Sequence, residues 1–258
     1  MTEIHPTAII DPGAQIADDV SIGPYTVVEN DVIIAEGSRI GPHVLLGNGT
    51  RLGKNCTVFK GASLGTIPQD LKFGNEKTYL EVGDHTTIRE FATLNRGTSH
   101  SLTTRVGSHC LLMAYTHVAH DCQLGNHVIL SNAVNLAGHV LIEDYVGIGG
   151  MTPVHQFTHI GAYSFIGGGL RINKDVPPYI LAMGDPLKFG GLNSIGLKRR
   201  GYSSDQLSVI KKVYNIIYRQ AYTVKEAISE IRRQFMDSAE AEHIASFLEN
   251  SERGIIRL

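Results

Sequence analysis

From Ile4 to Ile172 every sixth residue is aliphatic at 26 of 29 positions, and only Asp70, Glu76 and His100 break the series. Ordinary aliphatic frequency would fill fewer than a third of such positions. Six is neither the helical period nor the alternation of a simple amphipathic strand. It suits one short flat strand plus a turn. Three such units close a triangular coil of about eighteen residues, and coils stack ~4.8 Å apart, which is a parallel β-helix. The periodic aliphatic residue then points into the prism. The glycines that directly follow it (Gly23, Gly41, Gly47, Gly53, Gly83, Gly107, Gly125, Gly161) are expected to relieve the tight corner.

The breaks predict two loops that leave the prism wall, spanning 65–79 and 95–105. Solenoid insertions commonly carry function, because the stacked coils do not need them. After Ile172 the pattern ends, and Pro177–Pro178 stops the repeat. Ser203 is placed to cap a helix whose apolar residues, among them Leu207, Ile210, Val213 and Tyr214, share one face. Thr223 and Glu226 form a capping box for a second helix, and "SAEAEHIASFLENS" reads as a third. The organisation expected is a β-helix over 1–190, carrying both loops, and a C-terminal α-helical domain over 191–258. That domain would cap the prism or meet a neighbouring subunit.

Composition narrows the function. A net charge of −2 gives no global basic field for nucleic acid. No apolar run approaches a membrane span, and "MTEIHPTAII" lacks the features of a signal peptide, so a cytoplasmic protein is expected. Three cysteines without CxxC spacing argue against a disulfide framework or a cysteine-based zinc site.

Eighteen-residue stacking places side chains directly. His120, Gly138 and Gln156 form one column, Asp121, His139 and Phe157 the next, and His117 lies under Asn135. A histidine beside a carboxylate can serve as general base. A glycine one coil away offers a backbone N–H with no side chain in the way, as an oxyanion site requires. No serine or cysteine stands out as a nucleophile, so direct acyl transfer to a bound hydroxyl or amine fits. The bland reading is that these histidines are surface or packing residues. A zinc site built from His117, His120, His139 and His155 is a further alternative. The basic run Leu197–Gly201 is either a solvated face or a diphosphate clamp.

The stretches "IHPTAIIDPGAQI", "PQDLKF", "NRGT", "AHDCQLGNHVILSN", "LAGHVLIEDYVGIGGMTPVHQF", "KDVPPY" and "GLKRRGYS" resemble the UDP-N-acetylglucosamine O-acyltransferase family over the whole chain. The resemblance implies a left-handed parallel β-helix, a homotrimer with sites between subunits, and no metal or cofactor. It also implies transfer of an (R)-3-hydroxyacyl chain from acyl carrier protein to the 3-position of UDP-N-acetylglucosamine, the first step of lipid A biosynthesis. By matching motif, His120 would be the general base, Asp121 its orienting partner and the Gly138 N–H the oxyanion donor, with His139 beside it. His117 and Lys72 would line the nucleotide-sugar side, and Gln69 and Asp70 would meet sugar or acyl hydroxyls. His155 and Gln156 would lie along the acyl and pantetheine path, Gly168 would set acyl length, and Asn193, Arg199 and Arg200 would hold UDP. Two positions depart from the family pattern: Asn95 replaces a histidine near the substrate, and Ile195 replaces a glutamate linked with the nucleoside. Those departures leave open whether the acceptor is the sugar or its 3-amino analogue. A zinc-dependent β-helix enzyme of γ-carbonic anhydrase type and a purely structural β-helix are the readings from other classes.

Overall fold

The computed structural model describes residues 2–258. Its first two-thirds is a left-handed parallel β-helix of mostly two-residue strands. Three sheets of 11, 8 and 8 strands form the sides of the prism. The first sheet begins at Glu3–Ile4, the second at Ile9–Ile10 and the third at Gln15–Ile16. Pairing joins residues one coil apart: His117 with Asn135, and Asn135 with Pro153. Alternation along each strand turns the periodic aliphatic residue inward, so Ile34, Leu46, Leu64, Leu112, Leu130 and Ile148 are fully buried. Each such burial contributes about 1.5–3 kcal/mol, so the core is a stack of near-identical hydrophobic layers.

The corners rest on left-handed backbone. The residue three after the aliphatic one takes a positive φ, and it is rarely glycine: His109, Asp121, His127, His139, Tyr145, Phe157 and Tyr163 all lie between 57° and 62°. The glycines that follow the aliphatic residue have another reason. A Cβ on Gly107 would stand 2.4 Å from the Gly125 carbonyl oxygen, and one on Gly53 2.9 Å from the Asp84 nitrogen. They permit close approach between coils, whereas side chains that stack on one another fill the strained slot.

The two loops are shorter than the sequence suggested. Ser63–Thr66, Tyr79–Val82, Thr93–Asn95 and Thr103–Val106 are strands, so only 67–78 and 96–102 leave the wall. Leu80 pairs with Thr50, thirty positions back, and with Thr104, twenty-four positions on. Both excesses over a coil are multiples of six. The hexad therefore stays in phase across the insertions, and Asp70, Glu76 and His100 are the slots the loops occupy.

The coil also outlasts its repeat. Ile180–Met183 pairs in parallel with Phe165–Ile166 beyond Pro177–Pro178, and Lys188–Leu192 then returns antiparallel. The boundary read at 190 falls inside that last strand. Four helices follow: α1 (Ser194–Arg199), α2 (Ser204–Arg219), α3 (Val224–Gln234) and α4 (Ala239–Glu249). Capping boxes open α2 at Ser203–Gln206 and α3 at Thr223–Glu226. The short α1 was not anticipated; it occupies the run read as a clamp or solvated face.

The helices seal onto the third sheet through a polar chain. The Tyr179 hydroxyl meets His243 Nδ1 at 2.7 Å, His243 Nε2 meets Glu143 at 2.8 Å, and Glu143 meets His159 Nε2 at 2.8 Å. Burial raises the Glu143 carboxyl, but hydrogen bonds from His159 and His243 outweigh it and leave the pKa at about 2. Among the described residues no helix is long and apolar enough to cross a membrane.

Candidate active site

The corner between the second and third sheets gathers the candidate groups. Asp121 occupies the left-handed slot at φ 60°, with its side chain fully buried. Its Oδ2 meets His120 Nδ1 at 2.8 Å and lies 3.8 Å from His139 Nδ1. The His120 ring fills the space beside Gly138 from the coil below: an added Cβ there would stand 2.7 Å from His120 Cε1 and 2.9 Å from Nε2. The Nδ1–Cε1–Nε2 edge of the ring therefore lies against Gly138, and with Nδ1 on Asp121 the Nε2 atom is the one without a protein partner among the described residues. His139 stacks on Phe157 at 4.4 Å, and His100 from the second loop packs edge-on against it at 4.6 Å.

A backbone donor lies open at this corner. At three positions of another corner the N–H two residues after the aliphatic one is capped by the side chain a coil above: Ser108 by Asn126, Asn126 by Asp144, and Lys54 by Asp84. At Gly138 the residue above is Gln156, which is exposed, and the Gly138 N–H has no acceptor among the described residues. An open N–H beside an imidazole Nε2 is the geometry that holds a developing oxyanion while a proton is removed.

The electrostatics fit that division of labour. Burial alone would raise the Asp121 carboxyl, but hydrogen bonds from Ser101, His120 and Thr98 hold it far below the ordinary carboxylate range. It is an anion throughout the physiological range. Burial pushes His139 down, opposed by Asp121 and Asp70 and helped by the nearby His120 and His100, and its Nδ1 is unpartnered. Burial likewise lowers His117, whose Nδ1 meets the Thr93 hydroxyl at 2.7 Å. Cys122 is no nucleophile: it is buried, bonded to the Ala137 carbonyl, and pushed up to about 12. His120, Asp121 and His139 stand close enough to ligate one ion. Both Asp121 oxygens, however, already accept hydrogen bonds, from Thr98, Ser101 and His120.

Other sequence candidates lie at graded distances from this centre. Asp70 in the first loop is near enough to His139 to influence its charge, while Gln69 and Lys72 on the same loop are exposed. Asn95 is buried at the loop bases, where its Nδ2 donates to Thr66 Oγ1 and the Ile67 carbonyl and its Oδ1 is unpartnered. His155 and Gln156 stand one coil above Gly138, both exposed. Gly168 is on a different corner. It packs against Gly150, which packs against Asn132, so it borders the second sheet on the edge opposite His120. Asn193 caps α1 by accepting from Gly196 N and donates to the Tyr163 carbonyl. Arg200 lies over the Tyr145 ring at 4.1 Å, and Arg199 is exposed nearby. Within one chain the third sheet separates these arginines from His120.

Two residues that sequence reasoning missed touch the centre: Thr98 and Ser101, both bonded to Asp121. An eighteen-residue step back from Asp121 reaches Thr103. Adding the six-residue loop excess reaches Gly97 instead, beside Thr98, so the signal was present in the phase of the hexads.

Comparison with known proteins places relatives beside this chain. A family model described as Udp N-acetylglucosamine O-acyltransferase, Domain 2, matches residues 175–256. The acyl-[acyl-carrier-protein]–UDP-N-acetylglucosamine O-acyltransferase of Neisseria meningitidis serogroup B is 52% identical over 258 residues, all of both chains. The enzyme of that name from Thiobacillus denitrificans is 46% identical over the same span. Among solved structures, the UDP-N-acetylglucosamine acyltransferase of Francisella novicida superposes with a TM-score of 0.96 at 36% identity, covering 99% of this chain and 94% of that one. The acyltransferase of the same description from Campylobacter jejuni gives 0.93 at 36% identity, over 99% and 100%.

Proposed function

The chain belongs to the UDP-N-acetylglucosamine O-acyltransferase family, and on that premise we propose that it moves a 3-hydroxyacyl chain from acyl carrier protein to the 3-hydroxyl of UDP-N-acetylglucosamine. This is the first committed acylation toward lipid A. The observation that carries the reading is the Asp121–His120 pair set against the open N–H of Gly138, with no nucleophile in reach. His120 Nε2 takes the proton of the sugar hydroxyl as its oxygen attacks the thioester carbonyl. The Gly138 N–H receives the oxyanion, and Asp121 stabilises the imidazolium through Nδ1. Collapse expels the pantetheine sulfur, which takes the proton back from His120. Direct transfer needs only this general base and oxyanion donor.

The remaining candidates take substrate roles. Gln69, Asp70, Lys72, Asn95, His117 and His139 surround the acceptor, and His155 and Gln156 border the donor arm. Asn193, Arg199 and Arg200 hold the uridine diphosphate. Because the third sheet lies between Arg200 and His120 of one chain, a homotrimer is part of the proposal: one copy supplies the arginines and its neighbour the base. A cytoplasmic location, where acyl carrier protein is available, belongs to the same reading. Gly168 floors the far edge of the acyl groove and leaves it open. Each accommodated CH2 is worth ~0.8 kcal/mol, so donors of roughly twelve carbons or more are favoured.

The test is turnover with UDP-N-acetylglucosamine and, separately, its 3-amino analogue, against carrier protein loaded with 3-hydroxyacyl chains of graded length. The reading expects an ester on the unmodified sugar, and a shorter optimum in Gly168→Met. Amide formation only, or transfer to neither sugar, would overturn it.

A further inference from the structure

We propose that loop 96–102 is a positioning device. Thr98, assisted by Ser101, locks the Asp121 carboxylate so that it accepts a proton bond from His120 Nδ1 and leaves Nε2 free beside Gly138. The inference deepens the acyl-transfer reading and rests on it.

The hexads do not need the loop's length. The strands on either side of it, Thr93–Asn95 and Thr103–Val106, keep their pairing with the coils above and below, and the hexad phase is unbroken. Four of the loop's hydrogen bonds converge on one carboxylate. Thr98 N and Ser101 N donate to Asp121 Oδ1 at 3.0 and 3.3 Å, and the Ser101 hydroxyl donates to the same oxygen at 2.6 Å. The Thr98 hydroxyl donates to Oδ2 at 2.7 Å, the oxygen that also meets His120 Nδ1.

The direction of each bond is constrained. A hydroxyl has one proton. His100 N donates to Thr98 Oγ1 at 3.2 Å, so the Thr98 proton is left for Asp121. An ionised carboxylate has lone pairs only. His120 Nδ1 must therefore carry the hydrogen of that 2.8 Å contact, which fixes the ring tautomer. The loop is itself tied down: Leu102 N donates to the Thr98 carbonyl at 2.8 Å and Gly97 N to the Tyr79 carbonyl at 3.0 Å. Gly97 is required there, since a Cβ would stand 2.4 Å from Thr103 N. Thr98 is 7% exposed, so solvent does not replace its hydroxyl when it is removed.

The test compares Thr98→Val, Thr98→Ser and Ser101→Ala in the full-length protein, by steady-state turnover and by NMR of 15N-histidine-labelled enzyme. The His120 signals are assigned by their loss in His120→Ala. Thr98→Val is expected to lower kcat about tenfold to a hundredfold with KM for both substrates nearly unchanged, the scale for losing an orienting partner. Its His120 should shift from the Nδ1-protonated form to a mixture of tautomers. Thr98→Ser should restore both kcat and tautomer, and Ser101→Ala should show a smaller change of the same kind. Should Thr98→Val fail to fold, Ser101→Ala, at an exposed position, carries the test. A wild-type His120 protonated at Nε2, or unchanged kcat and tautomer in the folded variants, overturns the proposal. If wild type turns over neither substrate yet the tautomer responds as described, the acyl-transfer reading falls and the positioning role stands.

Discussion

Two corners of the prism use the same backbone and do different work. Between the third and first sheets, His85, His109, His127, Tyr145, Tyr163 and Tyr179 take the left-handed slot in successive coils and stack face to face at 4.5–5.7 Å. Between the second and third sheets the equivalent slots hold Asp121, His139 and Phe157. The first corner is closed by its rings, which shield one another, and three of its N–H groups, at Lys54, Ser108 and Asn126, are capped from above. The second corner is open at Gly138, its charge is buried, and a loop is folded over that charge. Histidines alone do not mark a site, since the closed corner has three. What separates the two is a buried anion bonded to one imidazole beside the Gly138 backbone.

Breaking the anion should have the largest effect. Asp121→Asn keeps the shape but offers its amide to groups that are already donors, and kcat should fall by ~10²–10⁴, as for other orienting carboxylates. Steady-state kinetics with circular dichroism as a folding control would show it. Closing the open donor comes next. Gly138→Ala introduces a methyl against the His120 ring, and because Gly138 lacks a positive φ the loss is one of placement. A fall in kcat of about tenfold to a hundredfold is expected, with nucleotide-sugar binding by calorimetry unchanged.

A third case tests whether a carboxylate–imidazole pair suffices. Glu143 bonds His159 and His243 but faces no open donor, so its role is attachment of the helical tail. Its folded pKa, at about 2, lies below the ordinary 4.5. The stability it supplies is thus complete above pH 4.5 and lost as pH falls toward 2. That loss is about 3 kcal/mol, measurable by thermal melts across this window. Glu143→Gln should flatten the dependence. The smallest effect belongs to the closed corner: His109→Ala removes two stacks, costs about 0.5–1.5 kcal/mol for each, and should lower Tm while kcat stays at the wild-type value.

The hexad made the prism legible because each aliphatic residue is a separate, repeated vote for one inward face. Eighteen-residue stacking likewise brought His120 to Gly138 and His117 to Asn135, which pairing in the second sheet bears out. The loops defeated that arithmetic locally. Thr98 and Ser101 are ordinary polar residues, and only the six-residue phase shift brings them under Asp121. The helix α1 was hidden because its cap, Asn193, had been read as a ligand group, and six residues are too few to show a period. The continuation of the coil through Ile180–Met183 was equally silent, since after Pro177–Pro178 the strand pairs without repeating the hexad.

The central claim is that catalysis belongs to the open corner. Turnover of 3-hydroxyacyl carrier protein and UDP-N-acetylglucosamine should be measured for His120→Ala beside His109→Ala, with the assembled fold verified for both. The account predicts a kcat lower by ~10²–10⁴ in the first, the scale for loss of a general base, and wild-type kcat in the second. Near-wild-type turnover by His120→Ala, or an equal loss in His109→Ala, would contradict it.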